Sequence, residues 1–125
     1  MIIAIDFDGT IVNSDYPKIL SPKIGAKEVI RKLHENGHYI ILWTCRYGND
    51  LTSAINWMLR NKVPFDCVND HCPKNLEEFG GNSGMKVYAD FYVDDKIIGG
   101  FPGWDFVKAE FLRLGVLPRE QCFER

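Results

Sequence analysis

The chain has 125 residues, 46% of them apolar and 26% charged, with a formal net charge of −2. That size and balance suit an ordinary globular protein of one domain, 1–125, and argue against nucleic-acid binding by bulk electrostatics, since no basic block occurs anywhere. No run of about 18 apolar residues is present to span a membrane, and no basic region precedes the short apolar N-terminus, so a cytoplasmic location is expected.

Met1-Ile2-Ile3-Ala4-Ile5 reads as a strand buried on both faces. It runs out at Asp6-Phe7-Asp8-Gly9-Thr10, which puts carboxylates at i and i+2, on one face of the strand end. A polar stretch, Asn13 to Pro17, follows, and Ser21-Pro22 offers a capping hydroxyl ahead of a proline at a first helical position. Ala26, Val29, Ile30 and Leu33 recur at helical spacing, and Asn36-Gly37 stops that helix. His38 to Trp43 is a second strand, ending at Thr44. A second helix is predicted from Asn49 to Asn61, its apolar face marked by Leu51, Ile55, Met58 and Leu59. Phe65–Val68 reads as a third strand, and residues 69–84 as a polar, glycine-rich connection with one helical turn near Leu76–Phe79. Ala89–Val93 is a fourth strand running into Asp94-Asp95. Trp104, Val107, Phe111 and Leu114 then mark a last helix stopped by Gly115.

Strands alternating with helices predict an α/β fold, a Rossmann-like parallel sheet with helices on both faces and right-handed crossovers. The functional consequence is geometric. Asp6 and Asp8, Thr44, and Asp94 and Asp95 all fall at strand carboxyl ends, the side on which open parallel sheets bind ligands. Asp-Gly also marks ordinary turns, and a threonine ends many β-branched strands. Three polar strand ends together are the stronger signal. Like charges held this close repel unless a cation or a shared proton relieves them, which points to a divalent metal.

Four cysteines, at 45, 67, 72 and 122, show no disulfide framework, and Cys67 and Cys72 flank His71 without the second ligand pair of a zinc site. Gly80 to Lys86 lacks the spacing of a P-loop. Trp43, Trp57 and Trp104 are expected in the core rather than as stacking platforms, and His71 in a turn or at the surface.

In this order the motifs resemble the haloacid dehalogenase-like superfamily, over residues 1–98. Its Asp-x-Asp-x-Thr motif is matched by Asp6, Asp8 and Thr10, and the threonine ending its second strand by Thr44. The lysine is best matched by Lys86, with Lys74 as a rival, and the acidic pair by Asp94 and Asp95. The resemblance implies a Mg²⁺-dependent phosphatase that hydrolyses a phosphate monoester through an aspartyl-phosphate. Asp6 would be the nucleophile and Asp8 the general acid and base, its proton favoured by neighbouring carboxylates and opposed by the metal. Mg²⁺ would be held by Asp6, the Asp8 carbonyl and Asp94, while Asp95 would hold a metal-bound water or the lysine, or cap its turn. Thr44, the amide of Cys45 and Lys86 would bind the phosphoryl oxygens.

The segments after the first motif and at 69–84 leave no room for a folded cap. The resemblance therefore implies a capless core, closed by a large substrate or by a second copy in a homo-oligomer. Arg46 and Tyr47 are either substrate contacts or a surface pair, and Asn13, Ser14, Asp15, Tyr16 and the Asn69–Asn75 loop are further substrate candidates. The expected partner is a phosphorylated small molecule. Phosphotransferase or phosphomutase chemistry, or a non-catalytic metal- or phosphate-binding module, are the alternatives.

Overall fold

The computed structural model describes residues 1–119, so Cys122 lies outside the described residues. In chain order the elements are β1 (Ile2–Ile5), β2 (Val12–Asp15), β3 (Lys18–Pro22), α1 (Ala26–Glu35), β4 (Tyr39–Leu42), α2 (Gly48–Arg60), β5 (Cys67–Val68), α3 (Pro73–Glu78), β6 (Phe91–Val93) and α4 (Trp104–Arg113). Four strands form a parallel sheet in the order β5-β4-β1-β6. β1 is central, which is why its residues are apolar without alternation.

Register sorts the side chains by face. Ile3 pairs with Ile40 and Ile5 with Leu42, and these residues share one buried cluster with Val93 and with the inner faces of α1, α2 and α4. Ala4 pairs with Ile41 on the reverse face, where Val87 and Ala89 cover them. The predicted α1 residues Ala26, Val29, Ile30 and Leu33 are all buried. Of the tryptophans, Trp57 and Trp104 are in the core and Trp43 packs half-buried against the reverse-face cluster.

Two expectations are corrected. Ser21 and Pro22 do not begin a helix; they end β3, which pairs antiparallel with β2 in a hairpin, and α1 starts after Gly25 at φ 86°. Strand pairing wins over the local cap signal because Val12 and Pro22 face one another across the hairpin. In α2 the buried face is Ala54, Trp57 and Met58, while Leu59 is 62% exposed. Trp57 sets that rotation by packing edge-on to Phe7, with ring centroids 5.8 Å apart.

The only insertion after β1 is the hairpin, and α3 with its loops is all that stands between β5 and β6. No helix among the described residues is long and apolar enough to cross a membrane.

Candidate active site

The β1 ladder carries Asp6 into place: its amide donates to the Val93 carbonyl of β6 at 2.9 Å. The chain then folds back tightly, with the Phe7 carbonyl accepting from the amides of Thr10, Ile11 and Val12. Gly9, at φ 81°, makes this turn, and a Cβ there would overlap the Asp95 carboxylate. The buried Thr10 hydroxyl donates to Asp6 Oδ2 at 3.2 Å, and the Thr10 carbonyl accepts from Trp104 Nε1 at 2.7 Å, which ties α4 to the loop.

β6 delivers the second pair of acids. Asp6, Asp94 and Asp95 each offer an oxygen, and the three lie within 4.8 Å of one another. Among the described residues no arginine or lysine pairs with any of them. Burial, reinforced by the charges of Asp94 and Asp95 and by a hydrogen bond with Asp95, pushes the Asp6 carboxyl up to about 8. Asp95 Oδ1 is buried without a hydrogen-bond partner. Three converging carboxylates, one of which also carries an unpartnered buried oxygen, fit a hard divalent cation, which would replace the proton that otherwise relieves the cluster.

Asp8 has different company. Arg46 Nε and Nη2 donate to its two oxygens at 2.8 and 2.7 Å, and Ser14 Oγ adds a third hydrogen bond. Partial burial works to raise the Asp8 pKa, but these donors outweigh it and hold the group below the ordinary carboxylate value. The expectation that neighbouring carboxylates favour a proton on Asp8 is therefore corrected: its nearest charged neighbour is a cation.

Arg46 is not a surface residue. It is 2% exposed, and its Nη1 and Nη2 also donate to the carbonyls of Asp50 and Pro17. Tyr47 beside it is exposed. Thr44 lies two residues beyond the end of β4, which stops at Leu42; its hydroxyl accepts from the Arg46 amide, and Asn69 brackets its backbone with two hydrogen bonds of 2.8 Å. Cys45 is exposed at the rim.

A cleft of about 520 Å³ joins Asp6, Asp8, Asp95, Asn13, Ser14, Tyr16, Cys45 and Arg46. Its two lysines are Lys23 and Lys96, neither of which the motif spacing singled out. Lys86 stands elsewhere: its Nζ lies 4.7 Å from the Tyr92 ring centroid, and it lines a separate cleft with His71. Lys74 lines a third cleft beside α3. Lys23 follows β3 and Lys96 follows the acidic pair, so only the hairpin, which the sequence reading lacked, could have drawn attention to the first.

A family model described as haloacid dehalogenase-like hydrolase matches residues 3–69. Among solved structures, a conserved protein from Bacteroides thetaiotaomicron is 37% identical, with 92% of this chain and 91% of that one covered at a TM-score of 0.78. A chain in the Pnkp1/Rnl/Hen1 RNA repair complex is 19% identical and aligns with 96% of this chain and 41% of its own length at a TM-score of 0.52, a likeness of fold alone. No curated protein matches.

Proposed function

The chain belongs to the haloacid dehalogenase-like hydrolases, and from that premise we propose that it is a one-domain, Mg²⁺-dependent phosphatase acting on a phosphate monoester through an aspartyl-phosphate on Asp6. The observation that carries this reading is the cluster of Asp6, Asp94 and Asp95, three converging carboxylates with no cation of their own among the described residues.

Asp6, the Asp8 carbonyl, Asp94 and Asp95 would hold Mg²⁺. When bound, the ion offsets the charge of nucleophile and phosphate, so that anion can meet anion. An Asp6 oxygen attacks phosphorus as the ester oxygen departs, taking a proton from Asp8. Water then attacks the aspartyl-phosphate, gives one of its own protons to Asp8, and frees Asp6 and inorganic phosphate. Arg46 favours the ionised Asp8, so the proton-accepting half of this cycle has the more direct support. The Cys45 amide, which has no hydrogen-bond acceptor among the described residues, and the Thr44 hydroxyl are the phosphoryl-oxygen donors of this reading. Lys86 would join them only by swinging off Tyr92, whereas Lys23 and Lys96 already line the cleft. The substrate of this reading is a phosphorylated small molecule.

The test is release of phosphate from an aryl phosphate by the purified protein, with Mg²⁺ and with chelator, beside Asp6→Asn. Metal-dependent release that the variant lowers by at least about 10³-fold is expected. Release that survives in Asp6→Asn would move the nucleophile elsewhere. Mg²⁺ binding without turnover of any phosphate ester would favour the non-catalytic module, and transfer to an added alcohol in preference to water would favour the phosphotransferase.

A further inference from the structure

The hairpin β2–β3 rises directly from the loop that carries Asp6 and Asp8, and its residues Asn13, Ser14 and Tyr16 form one wall of the acid cleft. Its apolar anchorage is slight: of its nine strand residues only Val12 is buried, and Ile19 packs half-buried against the core. Its tip is held instead by one buried guanidinium. Arg46 donates through Nη2 to the Pro17 carbonyl at the tip at 3.0 Å, through Nε and Nη2 to Asp8, and through Nη1 to the Asp50 carbonyl in the first turn of α2 at 3.1 Å. Its Cζ also lies over two rings, 5.3 Å from the centroid of the buried Phe7 and 5.0 Å from that of Tyr16 in the hairpin. Ser14 of the hairpin completes the link by donating to Asp8 Oδ1.

The four hydrogen bonds of Arg46 are thus shared among three parts of the molecule that must keep register: the loop of the acids, the hairpin and the start of α2. A guanidinium suits this task because its planar fork reaches a carboxylate with two hydrogen bonds while its faces stack on rings; an ammonium can do neither. Asp8 cannot turn away from this fork without loosening the hairpin tip, and the tip cannot lift without taking Ser14 from Asp8 and Tyr16 from Arg46.

We infer that Arg46 is the positioning residue that fixes Asp8 against the hairpin, so that removing the guanidinium loosens the hairpin and misplaces Asp8 together. The inference deepens the phosphatase reading and rests on it for its catalytic half, in which Asp8 moves the proton. The clamp itself stands on the hydrogen bonds alone.

The experiment has two arms. In the first, amide hydrogen exchange is followed over residues 12–22 in the wild-type chain, Arg46→Gln, Asp8→Asn and the double variant. Exchange there is expected to quicken at least tenfold in Arg46→Gln, and in the double variant to match the faster single variant; unchanged exchange in Arg46→Gln overturns the clamp. In the second, turnover of an aryl phosphate with Mg²⁺ is compared in two backgrounds. Arg46→Gln is expected to lower kcat by 10- to 100-fold with KM within threefold when Asp8 is present, and to lower kcat by less than threefold in Asp8→Asn. An equal loss in both backgrounds, or a rise in KM alone, overturns the positioning role. Arg46→Lys, which keeps the charge but not the fork, is expected to behave as Arg46→Gln; full rescue by lysine would overturn the requirement for the fork. Should Arg46→Gln alone fail to fold, the double variant, which leaves no unpaired charge at the site, is compared with Asp8→Asn by the same two measurements. A wild-type chain that turns over no phosphate would end the phosphatase reading, while the exchange arm would still decide the clamp.

Discussion

Asp6 and Asp8 stand two residues apart on the same strand end and meet opposite surroundings. Asp8 faces a buried arginine that occupies both its oxygens, whereas Asp6 faces two more carboxylates and no paired cation among the described residues. One group is held below the ordinary carboxylate value and the other is pushed up to about 8. The lesson is that this fold can supply its own positive charge where a carboxylate is to be fixed. Where three acids are left together, their repulsion is a standing cost that an external cation would remove.

The largest expected effect that tests this contrast is on stability against pH. In the unfolded chain Asp6 loses its proton near pH 4, but in the folded chain only near 8. Between those values unfolding releases a proton, so in chelator this group's contribution falls as pH rises through that window and is flat above it. After allowance for solvent screening the loss is on the order of 2 kcal/mol. Asp8 has the opposite sign: its contribution is complete above the ordinary carboxylate value and is lost on acidification below it. Urea unfolding from pH 3 to 9 should therefore show a decline between 4 and 8 that Mg²⁺ removes and that Asp6→Asn abolishes. A decline that persists in Asp6→Asn would place its cause in another group.

Asp94→Asn should weaken Mg²⁺ binding by roughly tenfold, since a neutral amide is a poorer ligand for a hard cation. Titration calorimetry on the variant checks this, and unchanged affinity would remove Asp94 from the cation's ligands. The smallest effect separates two lysines. Lys96→Ala is expected to raise KM for an aryl phosphate about three- to tenfold and Lys86→Ala less, because Lys96 lines the cleft of the acids and Lys86 lines a separate one. The reverse order would show that Lys86 swings in when substrate binds.

Much of this architecture was legible in residue order. The run of β1, the helical spacing of α1 and the acids at the ends of β1 and β6 are local patterns with one reading, and they match the structure element by element. The failures occurred where two local signals competed. Ser21-Pro22 has the composition of a helix start but is consumed by cross-strand pairing with β2. Leu59 continues an apolar spacing that Trp57, by packing on Phe7, turns toward solvent.

What the sequence by itself determined is the set of chemical groups at the strand ends and the parallel sheet that gathers them, because hydrophobic period and strand length are properties of neighbouring residues. Which charge meets which was decided only by the tertiary structure. Arg46 is 38 residues from Asp8 and could have faced solvent, while Lys86, nearer in sequence to the acidic pair, lies over Tyr92. Coulomb interactions act through space and carry no signature in sequence separation, so the pairing of Asp8 and, among the described residues, the lack of a paired cation at Asp6 appear only once the hairpin, the loop and α2 are folded against one another.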